Sequence, residues 1–305
     1  MPDTPHTISR RAALAAAAAA AGAGLAAGSA LAAPKAPALV HIGERRRFVN
    51  KVVLITGATS GIGAAAARMF AAEGARVAFC GRRIERGEEV ERQIRAAGGD
   101  ATYIKADVRV EQEVEAFVEA AARRYGGLDV CFNNAGVTLE KPMQEMTLAD
   151  WDDVVNTDLR GNFLALKYET PHLIARGGGV VVVTASSNAI ATEPKRAAYT
   201  AAKRGLVGFV QVAAQELYPH GIRINTLIPG TTDTELVRRV AGMMDAPDAV
   251  WEEAAAEWAK TNIAVAHRMA QPEEIAAFAL TLASTDFPYM TGAQMVIDGG
   301  KTTFA

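Results

Sequence analysis

The chain has 305 residues, half of them hydrophobic and only 6% aromatic. That length supports one large α/β domain with a well-buried core, or two small ones. Its 32 basic and 34 acidic side chains nearly cancel, so the basic excess that marks a nucleic-acid binder is missing. The two cysteines, Cys80 and Cys131, are too few for a disulfide framework and match no metal spacing, so no metal site is expected. No internal repeat is visible.

Residues 1–45 stand apart. Ser9-Arg10-Arg11 precedes an uncharged, Ala- and Gly-rich run from Ala12 to Ala33, closed by Pro34 and Lys35. A charged start, an apolar middle and small residues such as Ala30-Leu31-Ala32 describe a bacterial export signal followed by a linker. The arginine pair gives it a twin-arginine-like character. This places the mature protein in the periplasm or otherwise outside the cytoplasm, with no stable membrane span. The alternatives are an uncleaved leader acting as a membrane anchor and a disordered tail.

From residue 46 onward, strand-like and helix-like patterns alternate. Val52-Val53-Leu54-Ile55 is a short apolar run that reads as a buried strand, followed by a helix over 62–73 that Gly74 closes. A strand at 77–79 leads to a charged helix over 83–97, and a strand at 102–105 leads to an amphipathic helix over 111–125. Strands follow at 130–132, 180–184, 222–228 and 294–297, with helices over 150–175, 197–218 and 272–284 between them. This alternation predicts a single doubly wound Rossmann domain over 46–305, an α/β fold with a seven-stranded parallel sheet. The stretch 231–268, with Met243, Met244, Trp251 and Trp258, breaks the alternation and reads as a helical, largely apolar flap over the pocket. In the usual strand order Cys80 and Cys131 flank the first strand. Two strand spacings of roughly 9–10 Å exceed the roughly 7 Å reach of a disulfide, so two free thiols are expected.

Thr56-Gly57-Ala58-Thr59-Ser60-Gly61-Ile62-Gly63 joins the first strand to the first helix. Gly57 permits a sharp turn, Gly61 lets a pyrophosphate approach the backbone, and Gly63 lets helix and sheet pack closely. The helix N-terminus adds unpaired N–H groups, and Ser60 and Ile62 complete the loop, so a dinucleotide is the expected ligand. An acid about 20 residues further on would hold the ribose of NAD. Here the second strand ends in Cys80-Gly81-Arg82-Arg83. Two guanidinium groups suit a 2′-phosphate, so NADP is favoured over NAD. The other reading is that Arg82 and Arg83 only begin a solvated helix.

Tyr199 and Lys203 are four apart on a predicted helix and share a face. Ser186 follows a strand, thirteen residues before Tyr199, and Asn156 lies on the preceding helix. Asn133-Asn134-Ala135-Gly136 follows the fourth strand. Residues that follow parallel strands meet at one sheet edge. Carbonyl reduction needs a proton donor and a stabiliser of oxyanion charge beside a hydride source. Tyr199 is the candidate acid/base, with the Lys203 ammonium favouring its phenolate, and Ser186 the candidate donor to the substrate oxygen.

These motifs in this order resemble the short-chain dehydrogenase/reductase family, and with Pro229-Gly230, Thr234 and the closing Asp298-Gly299-Gly300 the resemblance spans residues 46–305. It implies an NAD(P)-dependent oxidoreductase acting on a small carbonyl or alcohol substrate, 3-oxoacyl reductase-like or cyclic or sugar alcohol dehydrogenase-like. It further implies that Asp107 and Val108 line the adenine, and that Asn134, Ala135, Gly136, Pro229 and Gly230 line the cofactor. Ile228 and Thr234 would hold the nicotinamide amide, Lys203 its ribose, and Asn156 a water-linked proton path to Lys203. A homotetramer built through 150–175, 197–218 and the last strand is also implied. Asp158, Arg160, His172 and His267 read as solvated or structural. The alternative to an enzyme is a non-catalytic dinucleotide-binding scaffold or sensor on the same fold.

Overall fold

The computed structural model describes residues 45–303, and the leader expectation lies outside them. Seven parallel strands form one sheet in the order β3-β2-β1-β4-β5-β6-β7. They are β1 (Val52–Thr56), β2 (Arg76–Gly81), β3 (Asp100–Lys105), β4 (Val130–Asn133), β5 (Gly179–Thr184), β6 (Ile222–Pro229) and β7 (Gln294–Ile297). The helices are α1 (Gly61–Ala72), α2 (Ile84–Ala96), α3 (Glu111–Tyr125), α4 (Leu148–Val155), α5 (Gly161–Ala175), α6 (Ala197–Leu217), α7 (Glu235–Ala241), α8 (Asp248–Asn262) and α9 (Pro272–Ala283). The predicted architecture is therefore the observed one.

Strand alternation divides the apolar residues between two cores. Val53 and Ile55 of β1 face one side, where they pack with Phe79, Phe132, the alanines of α1 and Ile275, Ala279 and Leu280 of α9. Val52 and Leu54 face the other, against Phe117 and Val118 of α3, Leu164 of α5 and Leu206 and Val210 of α6. The almost wholly buried β1 explains why it reads as a continuous apolar run rather than an alternating one.

Local chemistry sets the helix ends. Glu111 and Glu113 open α3, Arg123 and Arg124 close it, and Gly126 terminates it in the left-handed conformation at φ 80°. Thr147 and Asp150 form a reciprocal capping box at the start of α4. Cys80 and Cys131 are both free and buried, on β2 and β4 to either side of β1, as expected. No helix among the described residues is long and apolar enough to cross a membrane.

Two regions depart from the sequence reading. The single helix expected over 150–175 is interrupted: a π-helical turn, Asn156–Arg160, separates α4 from α5. The flap is helical, but its tryptophans turn inward. Trp251, Trp258, Met243 and Met269 build a small core between α7 and α8, and the Trp251 indole N–H donates to Asp233 Oδ1 at 2.7 Å. Neither tryptophan lines the main pocket. A bulky indole gains more by burial in a dry core than by facing a cleft.

Candidate active site

The carboxyl ends of the strands open into one cleft, lined by Gly57, Gly81, Asp107, Asn134, Ser186 and Gly230 from six successive crossovers. Side chains tie the central strand ends together. Thr56 Oγ1 accepts from the backbone N–H groups of Asn134 (3.1 Å) and Ala135 (3.2 Å), while Asn134 Nδ2 donates to the Gly57 carbonyl at 3.2 Å. The glycine loop needs its glycines here. Gly57 sits at φ +70°, and a Cβ on it would lie 2.5 Å from Ala135 Cα. A Cβ on Gly63 would collide with the Gly57 carbonyl oxygen and come within 2.7 Å of Asn134 Nδ2. Gly63 is thus a packing residue behind the loop rather than part of the cleft wall.

The start of α1 is suited to an anion. Its N-cap residue, Ser60, makes no side-chain capping bond, and its first turn holds no acid. The first-turn N–H groups are left for a phosphate. Ser60, Gly61, Ile62, Arg82, Arg83, Asp107, Val108, Asn134, Ala135, Gly136, Pro229, Gly230 and Thr234 all line the same cleft. This cradle accepts an extended dinucleotide along the sheet edge. Ile228 lies just behind it, fully buried in β6.

Arg82 and Arg83 differ in their surroundings. Arg83 donates to Thr59 Oγ1 (3.0 Å), to Ser60 Oγ (2.5 Å) and to Glu235 Oε2 (2.6 Å), so it bridges the glycine loop to α7. Arg82 is exposed at the cleft rim. Burial raises the Asp107 carboxyl, but hydrogen bonds and charge from Arg109 outweigh it and hold the carboxyl below its ordinary value, with a smaller contribution from the Arg82 charge.

Ser186, Tyr199 and Lys203 line the same cleft. Ser186 follows β5 and caps a short 3-10 turn, where its Oγ accepts from Asn188 N at 3.2 Å. Accepting that bond leaves the hydroxyl hydrogen to donate elsewhere. Tyr199 lies in the first turn of α6, with the Lys203 ammonium 5.6 Å and the Arg196 guanidinium 5.8 Å from its ring centroid. Lys203 is 2% exposed and donates to the Thr184 carbonyl at 2.9 Å.

Asn156 is not part of this constellation. It starts the π-helical turn, its carbonyl accepts from the Gly161 N–H, and its side chain does not line the cleft. The residue that reaches Lys203 is Asp158, two positions on, with Oδ2 3.2 Å from Nζ. Two residues swing a side chain by roughly 200° around a helix, so the two cannot share a face. Asp158 is fully buried, so of its two sequence readings the solvated one is excluded, and the direct polar partners of Lys203 are Thr184 and Asp158, not Asn156. Arg196 was also missed. Among the described residues it is a buried cation of the cleft wall, bonded to Thr138 Oγ1 at 2.8 Å and paired with Glu140. His172 and His267 lie outside the cleft.

Known proteins resemble this chain in sequence and fold. The short chain dehydrogenase family profile matches residues 51–245. A cyclohexanol dehydrogenase from Acinetobacter sp. (strain SE19) is 35% identical over 261 residues, 84% of this chain and 97% of that protein. A cis-4-hydroxycyclohexanecarboxylate dehydrogenase from Sinomonas cyclohexanicum is 36% identical over 256 residues, 84% of this chain and 98% of that protein. The crystal structure of levodione reductase matches with a TM-score of 0.78 at 36% identity, covering 85% of this chain and 100% of that one. The chain belongs to the short-chain dehydrogenase family and is an NAD(P)-dependent oxidoreductase.

Proposed function

We propose that the protein interconverts a cyclic secondary alcohol and its ketone, with NADP as the preferred cofactor. The presence of Ser186, Tyr199 and Lys203 in the wall of the same cleft as the glycine loop carries this reading. Two relatives named for cyclohexane-ring alcohols support the ring substrate. The side chains of Leu236, Val237 and Val240 on α7 add an apolar wall on which a ring can lie.

A nicotinamide bound in this cleft would supply the hydride in reduction and accept it in oxidation. The chain's own residues handle the proton. In reduction, the Ser186 hydroxyl donates a hydrogen bond to the carbonyl oxygen, and Tyr199 gives that oxygen its phenolic proton. In oxidation, the Tyr199 phenolate takes the alcohol proton. Lys203, held by Thr184 and Asp158, stabilises the phenolate in both directions.

Nicotinamide absorbance, followed with cyclohexanones, linear 3-oxoacyl thioesters and sugars, tests the proposal. The cyclic ketones are expected to turn over fastest. Faster thioester reduction would overturn the ring preference, and no turnover of any carbonyl would overturn the catalytic reading.

The NADP preference rests on Arg82 and Arg83 and on the lack of an acid at the end of β2. Arg82→Ala is expected to raise the KM for NADPH about tenfold, the value of one exposed charge-assisted contact, and to leave that for NADH within about twofold. Equal loss for both cofactors in steady-state kinetics would remove the phosphate role.

The proposal extends to assembly and export. Phe163 on α5 leaves an exposed aromatic ring that packs edge-on against Phe209 of α6, and this uncovered apolar surface supports a homotetramer through these helices. Light scattering checks it, and a monomeric mass would refute it. N-terminal sequencing of the protein from its native host checks removal of the leader.

A further inference from the structure

The structure puts a carboxylate where the family resemblance assigned a carboxamide. Asp158 Oδ1 accepts from the Val137 N–H at 2.8 Å. Asp158 Oδ2 has no well-directed hydrogen bond, though Lys203 Nζ lies 3.2 Å away. The arrangement is shaped for this contact. The π-helical turn carries Asp158 inward, and Asn162 Nδ2 pins its carbonyl at 2.6 Å. Gly136 leaves the space above: a Cβ there would lie 3.3 Å from Asp158 Oδ2 and 3.4 Å from Lys203 Nζ.

We propose that Asp158 is a positioning residue that acts through Lys203, its carboxylate offsetting the ammonium's field and so setting the pH range in which Tyr199 gives and takes its proton. The inference rests on the catalytic reading of Tyr199 and Lys203 given above. An anion 3.2 Å from the ammonium, with no water between them, cancels much of the positive potential that the ammonium projects toward the phenol. The phenolate is then favoured less than it would be beside an unpaired lysine.

The charged groups facing Asp158 are Lys203 from α6 and Asp153 from α4, and from the β4 loop only the Val137 N–H reaches it. Burial, aided by Asp153, pushes the Asp158 carboxyl above its ordinary value against the opposing pull of Lys203 and Val137. At the acid end of the range the carboxyl therefore begins to take up a proton, and its offsetting charge fades.

Asp158→Asn tests this with little change of shape: its single carboxamide oxygen can accept from Val137 or from Lys203, and the side chain carries no charge. The pH profile of kcat for alcohol oxidation is expected to move toward acid by about one unit, the size of shift a neighbouring charge produces. The KM for the alcohol should stay within about threefold. A second readout needs no turnover. In the cofactor-free protein, ultraviolet titration of the phenols should show one tyrosine ionising at lower pH in the variant than in the native chain. That difference should vanish in the Tyr199→Phe background.

Asp158→Ser, a second neutral variant, should shift both readouts the same way. A scaled-down but unshifted pH profile, or an unchanged phenol titration, overturns the proposal. So does failure of both variants to fold, which would confine Asp158 to a structural role. If no carbonyl or alcohol turns over, the catalytic reading fails, while the phenol titration still judges Asp158 by itself.

Discussion

Tyr199→Phe is expected to lower kcat about a thousandfold while leaving NADPH affinity within about threefold. The substitution removes one oxygen and keeps the ring, which stays between the Arg196 and Lys203 cations. A positioned proton donor contributes roughly 10²–10⁴ in rate, and no other described side chain of the cleft stands ready to replace it. Ser186 is committed as acceptor to Asn188 N, and its one hydroxyl hydrogen is already assigned to holding the substrate oxygen. Lys203 is buried and tied to the Thr184 carbonyl and to Asp158. The glycine loop and the start of α1 keep all their own groups, so cofactor binding is expected to persist. Single-turnover kinetics with a cyclic ketone, together with NADPH fluorescence titration, separate the two effects. A variant that keeps more than a tenth of native kcat would take the proton from Tyr199 and assign it elsewhere.

The fold was legible because it is written in local chemistry. β1 reads as a strand since both its faces are buried, and the turn after it reads as a cofactor loop since only glycine tolerates the approach of Ala135 to Gly57. Ser186, Tyr199 and Lys203 were legible because the strand-end rule and helical spacing bring them to one edge. What failed was facing. A π-helical turn leaves no signature in composition, and the resemblance that named Asn156 does not say that Asp158, two residues on, is the one turned toward Lys203. Aspartate is also rarely buried, which argued for solvent where the fold provides a lysine. Trp251 and Trp258 were misplaced for a related reason. The sequence marks them as buried, but it does not say whether the burying partner is a ligand or, as here, α7 and α8 themselves.

Glu169 offers a test of buried charge that is independent of catalysis. It sits on α5 with no exposure, accepts from Asn133 Nδ2 at 2.9 Å, and lies beside the Cys131 thiol. Burial pushes its carboxyl up from 4.5 to about 7, with Asn133 and Cys131 opposing the rise. The folded chain therefore holds a proton that the unfolded chain releases between those two values. The unfolded state binds fewer protons in that window, so stability falls as pH rises through it and levels off above pH 7. The shift corresponds to about 3 kcal/mol. Glu169→Gln imitates the protonated form: its amide oxygen still accepts from Asn133, and no charge appears at high pH. Urea unfolding is expected to give the native protein and the variant similar stability at pH 5, and the variant an advantage approaching about 3 kcal/mol at pH 8. Asp158, also raised by burial, tilts both proteins alike, so the difference between them isolates Glu169. Parallel curves across that interval would show that Glu169 stays ionised in the fold.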